Sequence, residues 1–276
     1  MSSIAVCVKW VDRRPDVDPL TGEVVHDPRS AGTSDADDAA LEWGMRIGET
    51  WGHPVIAISA GPPAADAVLR AALAAGATRA IRVPCAPDAE SDAVAAALVA
   101  ALPTDVVVTV CGNWSLDRGS GSVPAFIAAQ QSAAQALGLV SLTVGGPNEA
   151  ELSGERRLDG GRRERLRIPC PAVISVEGGS ARLRRAALAG VIAARSAPIE
   201  LGLPVTRLRP APDIRCAPFR PRPRARPAPA SASARERILE LTGALVDPTP
   251  PQRLVLEPPE AARRLLDQLR TWGYLE

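Results

Sequence analysis

"DVVVTVCGNWSLDRGSGSVPAFIA", residues 105 to 128, changes character twice in 24 residues. Asp105 to Val110 is an apolar, β-branched run of the kind that parallel sheets bury on both faces. From Val123 the sequence takes helical spacing. Between them, Gly112 to Ser122 holds Trp114, Asp117, Arg118 and two Gly-Ser pairs. Strand, tight polar loop and helix in that order are the working part of a βαβ unit.

Working outward, the same alternation fills the first half of the chain. Strands are expected at Ile4 to Val8, Pro54 to Ser59, Arg79 to Val83 and Asp105 to Val110, with helices near 36–50, 64–76, 90–102 and 123–138. Ser91 or Glu90 is placed to cap the third helix. From Leu139 the period shortens: "LVSLTV", "EAELSGERRL", "RRERLRIP" and "CPAVISVEG" read as short strands joined by glycine turns such as Asp159-Gly160-Gly161. The reading is an α/β, Rossmann-like parallel sheet with an antiparallel addition. Residues 1–200 form this domain. "PFRPRPRARPAPASASA" (218–234) lacks regular backbone donors, so 201–234 is expected to be a Pro-rich linker or arm. Residues 235–276 end in a helix with Ala262, Leu265, Leu266 and Leu269 on one apolar stripe.

Composition narrows the function classes. The chain has 276 residues, 46% hydrophobic, enough for one sizeable core plus an appendage. Its 32 basic and 31 acidic residues leave a formal charge of +1, which argues against a nucleic-acid footprint. Lys9 is the only lysine, so nearly all positive charge is arginine, read as coding bias. Five cysteines, Cys7, Cys85, Cys111, Cys170 and Cys216, are spread singly without a CxxC pair, which excludes the usual zinc and iron–sulfur spacings; no metal site is expected. Reduced thiols in a cytoplasmic protein fit that pattern. "MSSIAVCVKWV" is too short before Asp12 for a signal peptide or span, and the Ala-rich run from Ala93 stops at Pro103.

In open parallel sheets ligands sit beyond the carboxyl ends of the strands where the strand order reverses, commonly between the first and fourth. Cys7-Val8-Lys9 and Cys111-Gly112-Asn113 are those ends. Gly119 and Gly121 allow backbone N–H groups to approach an anion, the following helix offers its positive end, Ser120 and Ser122 add hydroxyls, and Asp117 can hold the loop. A phosphate fits there better than elsewhere. The glycine spacing departs from the dinucleotide fingerprint, and there is no GxxxxGK[ST] loop. Arg118 either pairs with the phosphate or is solvated. His26 and His53, the only histidines, read as solvated or core residues, and no catalytic acid/base constellation is expected.

Taken in order, "AVCVKWV" (5–11), "SDADDAALEWGMRIGE" (34–49), "ISAGPPAADAVLRAALAAGATRAIRV" (58–83), "DVVVTVCGNWSLDRGSGSVPAFIA" (105–128), "RRLDGGRRERLRIPCPAVISV" (156–176) and "APIEL" (197–201) resemble the beta subunit of electron transfer flavoproteins. The resemblance covers about the first 200 residues and returns in the last 20. It implies an adenine-nucleotide alpha hydrolase-like fold with an extended C-terminal arm. It also implies a heterodimer with an alpha subunit that carries most of the FAD contacts, so FAD is shared with that partner. The beta chain would hold AMP, or a second FAD in electron-bifurcating members. Position by position, the nucleotide site maps to Cys7, Ser34, Ala60 and Gly112 through Val123, with Cys7 and Ala60 bordering the adenine through their backbones. Residues 235–276 would dock on the alpha subunit through Leu265, Leu266, Leu269 and Trp272. Residues 182–201 align with the family's recognition loop, whose exposed leucine plugs a pocket on flavin dehydrogenases; the matching position is Leu188. Ser34-Asp35 stands where relatives commonly carry Asn-Pro, and Arg118-Gly119 where they carry acids. These departures, with the Arg/Ala-rich composition, point to the subfamily associated with the redox cofactor mycofactocin.

Three functions follow. The first is an electron-carrier subunit, which needs no acid, base or nucleophile of its own. The second is a stand-alone adenine-nucleotide-binding or hydrolysing protein of the universal-stress-like class, for which Asp117 with Arg118 is thin provision. The third is an interaction protein acting through its Pro/Arg arm.

Overall fold

The computed structural model describes residues 2–18, 20–25, 27, 29–86, 89–146, 151–206, 228–242 and 253–275. His26, Cys216 and most of the Pro-rich stretch lie outside the described residues. Two compact units span Met1–Phe219 and Arg220–Glu276.

The first unit opens with β1 (Ser3–Cys7), then four two-residue strands, β2 (Val11–Asp12), β3 (Asp16–Val17), β4 (Val24–Val25) and β5 (Ala31–Gly32). Next come α1 (Asp35–Trp51), β6 (Val55–Gly61), α2 (Asp66–Ala75), β7 (Arg79–Pro84), α3 (Ser91–Ala101), β8 (Val106–Gly112) and α4 (Val123–Gln131). It continues through β9 (Ala134–Val144), β10 (Glu151–Arg157), β11 (Arg163–Pro169), β12 (Ala172–Val176), α5 (Leu188–Ser196) and β13 (Glu200–Leu201). The main sheet runs β11-β10-β9-β12-β8-β1-β6-β7-β13. From β9 to β13 every neighbouring pair is parallel. At the other edge β10 pairs antiparallel with β9 and β11 with β10, which is the antiparallel addition read from the sequence.

Alternation along the strands decides the layers. Ile4, Val6, Val108 and Val110 face one side with α1 and α2, while Ala5, Ile56, Ile58 and Cys111 face the other with α3 and α4. Each buried Ile or Leu contributes roughly 1.5 to 3 kcal/mol, so both faces must be covered. Register places Cys7 beside Cys111 on adjacent strand ends, with β1 on one side of the order reversal and β8 on the other. The switch point expected between the first and fourth long strands is there.

Helix α1 begins where Ser34 accepts the Asp37 N–H at 3.1 Å, with Asp35, Asp37 and Asp38 at its positive end. It ends at Gly52, whose left-handed backbone (φ +68°) returns an N–H to Gly48. At α3 neither side chain proposed as a cap closes the helix: Glu90 occupies the cap position without a side-chain hydrogen bond and Ser91 is the first helical residue.

One expectation is corrected. The helix read over 123–138 stops at Gln131, and Ser132 turns left-handed at φ +50°. "AQA" from Ala134 instead pairs with Ala172, Val173 and Ile174 of β12. Alanine and glutamine favour helix locally, but an open parallel edge beside β12 offers backbone partners and burial that a further helical turn would not.

The second unit contains α6 (Ala234–Thr242) and α7 (Pro258–Thr271). Leu265, Leu266 and Trp272 are exposed, and Trp272 meets Tyr274 edge-on at 6.5 Å between ring centroids.

Candidate functional site

A cavity of about 600 Å³ lies beyond the carboxyl ends of β1, β6, β7 and β8. Cys7, Ala60 and Gly112 border it from three of those strands. Asp117, Arg118, Ser120, Gly121, Ser122 and Val123 border it from the loop between β8 and α4. Nine positions named from the sequence thus share one wall. Ser34 and Gly119 do not line it, and the Ser34 hydroxyl is spent on the α1 cap.

The loop is held by its own polar groups. The Lys9 ammonium donates to both Asp117 oxygens at 2.6 and 2.7 Å, tying the end of β1 to the loop after β8. The Arg118 N–H also donates to Asp117, at 2.8 Å, and the Arg118 guanidinium donates to the Ala89 carbonyl. Partial burial pushes the Asp117 carboxyl up, but hydrogen bonds from Lys9 and Ser115 outweigh it and hold it below the usual range. Arg118 is exposed yet engaged: it pins the loop to the segment before α3. Ser120 and Ser122 share a hydroxyl contact of 3.0 Å.

Two glycines make the turn. Gly119 and Gly121 adopt φ +62° and +61°, the left-handed region that other residues enter at a cost. A Cβ on Gly121 would lie 2.6 Å from the Asn113 carbonyl oxygen, so this position is closed by the chain itself before any ligand is considered. Gly112 has a different reason. A Cβ there would meet Asp37 at 2.6 Å and Ala36 at 3.1 Å, because the start of α1 packs directly on the end of β8.

Helix α4 presents its N-terminus to the cavity through Ser122, Val123 and Pro124, and no side chain caps it. Uncapped N–H groups with the helix's partial positive charge suit an anion. Lys9 and Arg118 add cationic groups to the same wall, and Trp10 and Trp114 add aromatic faces. The volume lies within the range that takes a small ligand.

Sequence reasoning missed Lys9 and Asp37. Lys9 lies two residues past Cys7, and the switch-point rule that placed the β1 and β8 ends side by side was enough to bring it to the loop. Asp37 is buried, accepts the Lys9 N–H at 3.3 Å, and lines the cavity. Burial pushes its carboxyl up to about 7, against the hydrogen bonds from Lys9 and Ser34. An acid in the first turn of a helix is usually a solvated cap, so nothing in the sequence marked it as buried.

The Leu188 region lies elsewhere in the fold. Leu188 opens α5 with 74% of its surface exposed, and Ile192 one turn on is exposed as well. It is not packed inward. Arg184 fixes the approach: its guanidinium and N–H reach Glu42, and a second pair of bonds reaches Glu49. Arg70 donates to the Ala194 and Arg195 carbonyls at the far end of α5, at 2.8 and 3.0 Å. Helix α5 is therefore clamped at both ends while Leu188, Val191 and Ile192 stay exposed and Ala194 is buried.

Comparison with known proteins fits this geometry. A family model described as the electron transfer flavoprotein domain matches residues 23–201. The chain belongs to the electron transfer flavoprotein family. It is 32% identical over 173 residues to the electron transfer flavoprotein subunit beta of Methylophilus methylotrophus, covering 59% of this chain and 64% of that one. It is 29% identical over 200 residues to protein FixA of Rhizobium meliloti, covering 67% and 66%, and 30% identical over 209 residues to protein FixA of Sinorhizobium fredii, covering 70% and 71%. The chain spans just under two thirds of the length of the first two relatives. Among the described residues no helix is long and apolar enough to cross a membrane.

Proposed function

We propose that this chain is the beta-type subunit of a heterodimeric electron transfer flavoprotein, carrying electrons from flavin dehydrogenases to a downstream acceptor. The observation that carries the reading is the cavity at the β1/β8 switch point, with an uncapped helix N-terminus, a glycine-serine loop and Lys9 on one wall. Such a wall suits the binding of a nucleotide. AMP, or a second FAD, would place its phosphate at Ser120 to Val123 and its base between the Cys7 and Ala60 edges. FAD shared with the alpha subunit would supply the redox chemistry, and this chain's residues bind and orient.

Two further surfaces support assembly. The exposed stripe of α7 suits docking on an alpha subunit, and Leu188 at the clamped start of α5 suits a transient contact with a dehydrogenase. One buried leucine contributes roughly 1.5 to 3 kcal/mol, enough for a contact that must dissociate every turnover. The free thiols of Cys7, Cys111 and Cys170 suit a cytoplasmic location.

Co-expression with a candidate alpha subunit tests the reading. The expected product is a yellow one-to-one complex that releases FAD and an adenine nucleotide on denaturation, identified by mass. A colourless chain that ignores the alpha subunit, or one that turns over ATP alone, would overturn it.

A further inference from the structure

Cys7 and Cys111 are register partners on adjacent parallel strands, and both side chains belong to the face covered by α3 and α4. Parallel neighbours stand about 4.8 Å apart, inside the roughly 4.4 to 6.8 Å that a disulfide spans between Cα atoms. Both side chains sit in one apolar cluster on that face, Cys111 within it and Cys7 packed against it. Both line the cavity: Cys7 is half-buried there, and Cys111 is buried behind it. Two register-paired thiols on a cavity wall, one half-buried and one buried, form an arrangement that neither electron carriage nor nucleotide binding requires. We propose that Cys7 and Cys111 are a reversible oxidation site, forming a cross-strand disulfide when a peroxide enters the cavity.

The step balances with hydrogen peroxide as oxidant. The Cys7 sulfur attacks one peroxide oxygen, the O–O bond breaks, and the departing oxygen leaves as water, giving a Cys7 sulfenic acid. The Cys111 sulfur then attacks the Cys7 sulfur, the S–O bond breaks, and a second water leaves. Two thiols and one peroxide become one disulfide and two waters, with two electrons passing from sulfur to oxygen. The order follows from exposure, since Cys7 meets the cavity first. The neighbouring Cys7 thiol, burial and the charge of nearby Asp37 all raise the Cys111 pKa, which makes Cys111 the poorer first nucleophile.

The test uses the full chain alone and does not depend on flavin, nucleotide or alpha subunit. The folded protein is treated with a small excess of hydrogen peroxide, remaining thiols are alkylated, and peptides are mapped by mass before and after dithiothreitol. The expected result is a single Cys7–Cys111 cross-link, with Cys170 still alkylated, that disappears on reduction. A C7S variant should leave Cys111 fully alkylatable after the same treatment. Cys7 and Cys111 both alkylated in oxidised wild type would overturn the proposal. So would a Cys7 sulfinic acid beside an intact Cys111 thiol, a bond to Cys85 instead, or a cross-link seen only in urea.

Discussion

Alanine placed at Gly119 and at Gly121 separates backbone strain from steric closure in the candidate phosphate loop. Both residues sit near φ +60°, so each substitution carries the left-handed penalty of about 1 to 2 kcal/mol, reduced by the stiffer unfolded chain. At Gly119 the nearest atom to a new Cβ is the Ser115 carbonyl oxygen at 3.6 Å, an ordinary contact, so roughly 1 kcal/mol is the whole effect. At Gly121 the Asn113 carbonyl oxygen stands at 2.6 Å and cannot easily retreat, because the Asn113 N–H is bonded to Val176 at 3.0 Å. Relieving that overlap adds about 1 to 3 kcal/mol, as for other overpacked sites. Urea denaturation of both variants should therefore show Gly121→Ala losing at least about 1 kcal/mol more than Gly119→Ala. Equal losses would refute the closure argument. A Gly121→Ala protein of near-normal stability that no longer retained nucleotide would also refute it, because the Cβ would then be meeting ligand rather than the chain.

The Asp37 carboxyl should make stability depend on pH. Its folded pKa of about 7 lies above the ordinary 3.8, so the folded chain holds a proton the unfolded chain has released, and stability falls as pH rises through that window, by on the order of 4 kcal/mol. Asp37→Asn should flatten the difference between urea midpoints at pH 5 and pH 8, and an unchanged pH dependence would remove Asp37 as its source. Lys9→Met breaks an ion pair whose partners are 37% and 41% exposed, so stability should shift by less than about 1 kcal/mol while nucleotide affinity, read by titration calorimetry, drops roughly tenfold. Leu188→Ala should slow reduction of the flavin by a cognate dehydrogenase at least about tenfold. Its melting temperature should stay put, because Leu188 packs on little; a normal rate would take it off the docking surface. Removing residues 235–276 should abolish the heterodimer in size-exclusion chromatography and leave the far-ultraviolet signal of the sheet domain; a complex of normal size would place the docking surface elsewhere.

The sequence by itself determined the layers and the location of the cavity. Doubly apolar runs such as "DVVVTVC" have one stable setting, a parallel strand covered on both faces, and a right-handed βαβ path through them leaves their carboxyl ends at one switch point. The ordered motifs from "AVCVKWV" to "APIEL" added the family. Local sequence failed where a distant partner outweighed local preference. "QSAAQA" reads as helix until the β12 edge competes for its backbone, and Asp37 reads as a solvated cap until the β8 end buries it. The switch-point rule put the ends of β1 and β8 side by side, and the tertiary structure added the pairings made there, Lys9 with Asp117 and Cys7 in register with Cys111. Those contacts join residues more than one hundred positions apart, and no local period or propensity encodes a meeting made by two strands lying side by side in a sheet.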